Sequence, residues 1–233
     1  MRPARTLNCW TVVFVALLPT LGGCRPSYSA KAITAHVIDA ETKQPLEGVI
    51  VVAHWQLRGG GEGKGEVGQI MVLETVTDQT GTFHFPAWGP KKVLPPITIN
   101  ALLEEQDPEI LFFKDGYRFA HVSNFDLRTE TDFRNQSLRA SQYDGKTIEM
   151  MKVQGTLSSG AVTDMNLRLD PLDAYCAWRN VPLLIEAIRK ETEALHRRGD
   201  YTGTFYDHLV NNEAYELKEG CGSVQQFVRE HRQ

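Results

Sequence analysis

The sequence predicts a mainly β protein, in which an antiparallel β-sandwich is followed by a C-terminal α-helical appendage. Residues 31–123 contain short runs in which apolar and polar side chains alternate, separated by Gly, Pro and Asp. A period of two is typical of antiparallel strands, and several such strands in succession indicate a sandwich. After Pro171 the apolar residues take helical spacing instead. The first residues follow a third pattern, which indicates export from the cytoplasm.

The N-terminus has the layout of a secretory signal. Arg2 and Arg5 precede an almost wholly apolar run from Trp10 to Leu18. A helix needs about 20 apolar residues to span a bilayer, so this run is too short to be a permanent membrane helix. The run leads into Leu-Gly-Gly-Cys at residues 21–24, which resembles the lipobox of bacterial lipoproteins. The sequence therefore predicts a lipoprotein signal peptide over residues 1–23.

The resemblance to a lipobox implies that Cys24 becomes the first residue of the mature chain. Its sulfur would carry a diacylglycerol and its amino group an acyl chain such as palmitate, and two or more chains give stable membrane anchoring. Residues 24–30 would then be a tether. Arg25 stands where an aspartate is associated with inner-membrane retention in enteric bacteria, so we expect the outer membrane, facing the periplasm. The alternative is an ordinary secretory signal with an unrelated cysteine nearby.

The charge balance argues against a nucleic-acid partner. The chain has 25 basic and 29 acidic residues, and removing residues 1–23 leaves 23 basic residues and a formal charge of −6. Non-specific binding to nucleic acid needs clustered Lys and Arg on a basic surface. We therefore expect no nucleic-acid binding.

Three β-strands are readable directly from alternation. They lie in "AITAHVIDA" (32–40), "GVIVVAHWQL" (48–57) and "GTFHFPAW" (81–88). In the last of these, Phe83 and Phe85 share a face and are predicted to fill the core.

Polar turns separate these strands. In "TDQTG" (77–81), Asp78 is expected to accept backbone N–H bonds and Gly81 to adopt a positive φ. In "KDGY" (114–117), a tight turn ends at Tyr117, whose ring can pack while its hydroxyl keeps a hydrogen bond.

The segments 37–53, 75–86 and 112–117, taken in this order, resemble the carboxypeptidase regulatory-like domain. The resemblance implies an Ig-like/transthyretin-like sandwich over residues 31–170, with "VTDMNLRLDP" (162–171) as its last strand. In carboxypeptidases this domain carries no catalytic residues and accompanies a catalytic zinc domain, which has no counterpart here. The resemblance therefore implies a fold and no activity.

Two insertions interrupt the compact family pattern. The first, residues 57–69, is rich in glycine but lacks the spacing of a phosphate-binding loop, so we expect a hairpin or long loop. The second, residues 123–160, is polar without a sustained period. Long loops in compact domains are functional or disordered, so both insertions are candidate binding loops.

Residues 171–233 are predicted to be helical. Apolar spacing from Leu183 to Leu195, a cap at Asn180 and Pro182 in the first turn indicate one helix, which ends at residues 197–199. A second helix is expected near 204–218. Ser223 with Gln226 resembles a capping box that opens a last helix.

Cys176 and Cys221 remain after the signal and the lipidated cysteine are set aside. In an oxidising periplasm such a pair predicts a structural disulfide, which would close a loop of about 45 residues and stabilise the fold by about 3–4 kcal/mol. The alternative is that one of them is a nucleophile.

The histidines offer a weak candidate metal site. His36, His54 and His84 all fall on predicted strands, where three imidazoles on one sheet face would suit zinc or copper. The alternative is that they are partly exposed strand residues, and no cofactor is otherwise indicated.

The tryptophans 55, 88 and 178 are expected in packed cores, although carbohydrate stacking is an alternative.

These features favour a non-catalytic, lipid-anchored cell-envelope protein that presents an interaction or structural module, with the membrane and an envelope protein as partners. We do not expect an enzyme. A periplasmic metal-dependent hydrolase that uses the histidines is one alternative. An accessory lipoprotein of a secretion system is another.

Overall fold

The computed structural model describes residues 26–59, 65–93, 101–104, 106–124, 138–153, 158–200 and 203–231. These residues form eleven strands and five α-helices. The strands are β1 (Ser27–Ala30), β2 (Ile33–Asp39), β3 (Ile50–Gly59), β4 (Gly65–Val76), β5 (Thr82–Phe85), β6 (Trp88–Lys92), β7 (Leu102–Leu103), β8 (Glu109–Phe113), β9 (Ala120–Val122), β10 (Leu138–Arg139) and β11 (Thr147–Met150). The helices are α1 (Ser159–Leu169), α2 (Pro182–Arg197), α3 (Phe205–Asn211), α4 (Glu213–Lys218) and α5 (Val224–His231), with 3-10 helices at Asp170–Leu172 and Ala174–Asn180.

The strands form three sheets. The largest has the order β4–β3–β8–β9, with β7 also paired to β3, and all of its pairs are antiparallel. The second has the order β11–β2–β5, in which β5 is antiparallel and β11 parallel to β2. The third has the order β10–β1–β6, again with one parallel and one antiparallel pair. The predicted fold class, mainly β with antiparallel sheets and C-terminal helices, is confirmed.

The sandwich core lies between the largest sheet and the β11–β2–β5 sheet. Alternate residues of β2, β3, β5 and β8 point into it, as a half-buried strand requires. Phe83 packs edge-to-face against both Phe85 and Phe112, and Trp55 packs in the same way against Trp88. The predicted placement of the phenylalanine pair in the core is therefore confirmed.

The segments that resemble the regulatory-like domain meet at one end of the sandwich. Tyr117 donates its hydroxyl hydrogen to Asp39 Oδ2 at 2.8 Å. The Val37 N–H donates to the Gly81 carbonyl oxygen at 2.8 Å. Gly81 has φ +72°, and a Cβ there would lie 2.4 Å from the Val37 oxygen, so only glycine fits. Asp78 Oδ1 accepts the N–H groups of Thr80 and Thr82, as expected of this turn.

The largest sheet is buried on both faces. On β3, Val51, Ala53 and Trp55 belong to the sandwich core, whereas Val52 belongs to a second core that the helices cover. On β8, Leu111 and Phe113 likewise face the helices. The helical segment therefore forms a third layer on the outer face of this sheet.

Helix α2 is attached to the sheet at its first turn by Glu74 of β4. The N–H groups of Leu183 and Leu184 donate to the two carboxylate oxygens of Glu74, at 3.0 and 2.8 Å. The first N–H groups of a helix have no partner within it, and this helix has no side-chain cap of its own. Burial raises the pKa of Glu74, although the two N–H bonds oppose this. Glu74, a residue of the sheet, thus acts as the N-terminal cap of α2.

The helical layer contains the predicted disulfide. Cys176 and Cys221 form a disulfide that connects the 3-10 helix at 174–180 to the turn before α5.

The side-chain caps at the N-termini of the helices in this layer were predicted only in part. Ser223 Oγ accepts the Gln226 N–H at 3.3 Å, as expected, but a full capping box occurs at Thr204 and Asp207 before α3. The predicted second helix near 204–218 is split into α3 and α4.

The segment 162–171 is a helix, so our prediction of a last strand there is wrong. Val162, Met165 and Leu169 are buried at spacings of three and four, whereas Leu167 is 63% exposed. Ser158 begins the helix by accepting the Ala161 N–H on its side-chain oxygen at 3.2 Å. The helical layer therefore starts with α1 and not after Pro171.

Two further segments contain more regular structure than we predicted. Residues 27–30, expected to end a tether, form β1 with Tyr28 and Ala30 buried. The insertion 123–160 includes β10 and β11, and in β11 Ile148 and Met150 are buried in alternation with exposed neighbours. None of the helices in the described ranges is long and apolar enough to cross a membrane.

We predict that Glu74→Ala lowers the free energy of unfolding by about 1–2 kcal/mol, since it removes a helix cap and leaves two N–H groups without an acceptor. Glu74→Gln keeps a carbonyl oxygen for one of them and should cost less. Urea unfolding measures both changes, with Glu41→Ala, at an exposed turn residue, as the control. Equal stability of Glu74→Ala and Glu41→Ala would contradict the role of Glu74.

Candidate functional site

The three candidate metal histidines do not come together. His36 and His84 lie on the outer face of the β2–β5 pair, where each ring nitrogen Nδ1 is 2.9 Å from a threonine hydroxyl, Thr82 and Thr34 respectively. His54 lies on β3 and faces the helical layer. Both sheets and the core between them separate it from the other two, and stacked sheets are about 10 Å apart. The hypothesis of a site formed by His36, His54 and His84 is therefore wrong.

His54 instead belongs to a polar cluster centred on Glu109 of β8. Its Nε2 lies 3.6 Å from Glu109 Oε2, and the His54 side chain is fully buried. On the other carboxylate oxygen, His121 Nδ1 of β9 approaches to 3.2 Å and Arg168 Nη1 of α1 to 3.6 Å. His121 and Arg168 are partly exposed, at 31% and 42%. One carboxylate is thus surrounded by two imidazoles and a guanidinium.

The protonation states in this cluster follow from burial and charge. Burial lowers the pKa of His54, although the Glu109 charge and Gln69 oppose this, so His54 is neutral at neutral pH. Burial raises the pKa of Glu109, but its interactions with His121, His54 and Arg168 together outweigh this effect and lower the pKa. Glu109 is therefore ionised, and Arg168 is its positively charged partner.

This arrangement fastens α1 to the sheet. Within the described ranges, no group of three or more His, Cys, Asp or Glu side chains has the geometry to hold a metal ion. The Arg168 guanidinium also occupies one side of the only carboxylate in the cluster. Sequence reasoning missed this cluster because its members lie on β3, β8, β9 and α1, far apart along the chain.

A groove of about 630 Å³ lies between α2 and one end of the largest sheet. The α2 residues that line it recur along one face of the helix from Leu183 to Arg197, and His231 at the end of α5 also lines it. Apolar side chains contributed by the helix and the sheet are Ile50, Val76, Phe113, Leu183, Ala187 and Ala194. The charged side chains are Lys114, Asp115, Glu186, Lys190, Glu191 and Arg197.

The remaining candidate residues have structural positions or lie outside the described residues. Trp55 and Trp88 pack in the sandwich core, and buried Trp178 donates its Nε1–H to Glu216 Oε2 at 3.0 Å, so the core interpretation is confirmed. Cys24 and the predicted signal peptide lie outside the described residues. Of the insertion 57–69, β3 and β4 account for all but residues 60–64, which also lie outside.

The comparisons with known proteins give no family. No protein-family model and no curated protein matches the sequence. One solved structure, the dioxygenase domain of a dioxygenase carbohydrate-binding protein fusion from Streptomyces sp. SirexAA-E, is 13% identical with a TM-score of 0.29, over 57% of this chain and 84% of that one. A 9R-lipoxygenase from Cyanothece PCC8801 is 15% identical with a TM-score of 0.25, over 74% of this chain and 25% of that one. Similarity this low supports no functional argument.

We predict that His54 makes the protein less stable as the pH falls from about 8 to about 5.5. The folded His54 has a lowered pKa, so over this range the unfolded state binds more protons, and stability decreases with falling pH. His54→Gln removes this contribution, and its stability should depend less on pH even if its maximum is lower.

Urea unfolding at a series of pH values measures this dependence. His36→Gln, on the exposed outer face, is the control and should keep the slope of the unmodified protein. If His54→Gln also kept that slope, our account of the buried imidazole would be wrong.

Proposed function

We propose that this protein is a lipid-anchored protein of the bacterial cell envelope, which presents a non-catalytic binding module in the periplasm, at the outer membrane. The observation that carries the proposal is the lipobox-like segment that ends at Cys24, placed directly before the folded domain. Only Arg25 and Pro26 separate this cysteine from β1.

The short connection has a mechanical consequence. Three residue steps of extended chain span at most about 10 Å, so a lipid on Cys24 would hold the domain against the membrane surface. β1 is the central strand of its sheet, between β10 and β6, and is therefore held on both edges. A force applied through the lipid would therefore act on a strand that is hydrogen-bonded on both sides, and not on an unstructured segment. This suits a protein that keeps a binding surface at a fixed height above a membrane.

We also propose that the sandwich is related to the carboxypeptidase regulatory-like domain. The contacts between Tyr117 and Asp39 and between Gly81 and Val37 support this, because they give the motif residues a joint structural role. A binding role is favoured over catalysis because the polar cluster that the chain does assemble is internally neutralised around Glu109. The groove beside α2 remains as an open, partly apolar surface that suits a ligand or an envelope protein.

We predict that Cys24→Ser abolishes acylation and leaves the precursor unprocessed at this site. The test expresses the full chain in a Gram-negative bacterium, followed by mass spectrometry of the N-terminal peptide and by fractionation of the envelope. The unmodified chain should begin at an acylated Cys24 and remain with outer membranes unless detergent is added.

The control is Cys9→Ser, which removes a cysteine within the predicted signal and should leave processing unchanged. A mature chain that begins at another residue, or that is released by washing without detergent, would contradict the proposal.

A further inference from the structure

We infer that the groove between α2 and the sheet binds a single-chain acyl anion, with the chain along the groove and the carboxylate at its basic side chains. This deepens the binding role proposed above and rests on it for its biological meaning. The site itself is argued from the groove's shape, lining and charges.

The groove has the length and size for a chain-like small molecule. Its α2 wall runs from Leu183 to Arg197, fourteen steps of about 1.5 Å, which gives a length of about 21 Å. Its volume of about 630 Å³ falls within the range of about 300–1,000 Å³ that is typical of small-molecule sites.

The lining offers apolar surface that is already partly exposed. Val76 is 40% and Leu183 is 36% exposed, and both line the groove. The small side chains of Ala187 and Ala194 line the α2 side of the groove and leave space in it. Covering this surface with the methylene groups of a ligand removes apolar area from water, which favours binding of an apolar chain.

The carboxylates of the groove on α2 are paired with arginines that do not line it, one of which, Arg189, also binds Glu193. Arg189 donates two hydrogen bonds to Glu186, from Nε at 2.7 Å and from Nη2 at 2.8 Å. Arg198 Nη2 lies 3.7 Å from Glu191 Oε1. These two carboxylates therefore repel an incoming anion less than their number suggests.

The cations of the groove are less well compensated. Lys114 Nζ donates to the carbonyl oxygen of Glu47 at 2.8 Å, which is a neutral acceptor. Lys190 Nζ is 3.6 Å from Glu186, and because Arg189 also pairs with Glu193, these two cations and two carboxylates balance. Arg197, the last residue of α2, has no ion pair among the described residues, and Asp115 is the opposing carboxylate.

The lining carries three cations and three carboxylates, and after the pairs above are counted Lys114 and Arg197 face one carboxylate, Asp115. This part of the groove therefore has one uncompensated positive charge, on a chain whose formal net charge is −4. The apolar side chains of the lining disfavour small inorganic anions as the best ligand, and the uncompensated cation disfavours a neutral hydrocarbon chain. A molecule that has both an apolar chain and one negative group satisfies both features. A fatty acid is the simplest such molecule.

The test measures binding of laurate, dodecanol and butyrate to the unlipidated Cys24→Ser protein by titration calorimetry. Laurate should bind, whereas dodecanol lacks the charge and butyrate lacks the chain, so both should bind at least about tenfold more weakly. Ala187→Trp fills the groove and should abolish laurate binding. Arg197→Gln should weaken it several-fold, with the loss largest at low ionic strength.

Two matched variants control for non-specific effects. Ala214→Trp adds the same bulk on the exposed side of α4, and Lys43→Gln removes a cation in the turn after β2, away from the groove, that is paired with Glu149 of β11. Both should bind laurate like the parent. Absence of laurate binding, or equal binding by Ala187→Trp and Ala214→Trp, would overturn the inference. Since the protein tested carries no lipid, either result leaves the processing of Cys24 to be decided by its own experiment.

Discussion

The structure depends on the double burial of β3. One face is apolar, with Val51 and Trp55 in the sandwich core, and the other carries Val52 in the helical core and the fully buried His54. A strand exposed on one face is stable with alternating polarity, but a strand like this one needs cover on both sides. The β11–β2–β5 sheet covers one side and helices α1, α2 and α5 cover the other. The C-terminal helical segment is therefore a layer packed against the sandwich.

Polar contacts at two places determine how this layer sits. Glu74 fixes the first turn of α2, and the contact of Glu109 with Arg168 fixes α1. Burying a carboxylate is costly unless N–H groups or cations replace the lost water, and both carboxylates have such partners. The N-terminus of α2 is held by Glu74, and its side chains Leu184, Ile185 and Ile188 are buried in the core. The face of α2 that lines the groove is therefore left open beside the sheet. The groove is a consequence of this attachment.

The sequence predicted those features whose signal is local. We predicted correctly the strands β2, β3 and β5 from their alternation, the turn at Gly81, and the disulfide between Cys176 and Cys221. α1 was mistaken for a strand because Met165, Leu167 and Leu169 alternate, and only the buried spacing of Val162, Met165 and Leu169 reveals the helix.

Features that depend on pairing between distant segments were not predictable. Glu74 and Leu183, which it caps, are 109 residues apart in the sequence. The environment of His54 likewise depends on which strand lies beside β3. β10 and β11 are two and four residues long, too short for a period to be recognised within a polar segment. The groove combines residues of α2, α5 and the sheet, so no single stretch of sequence indicates it.

The central claim is that sandwich and helices form one cooperative unit, and native-state hydrogen exchange tests it most directly. If β3 requires cover on both faces, the slowest amides of α2 and of β3 should exchange through the same global unfolding, with one free energy and one denaturant dependence. Exchange of the α2 amides through a much easier opening, while the β3 amides stay protected, would contradict the account.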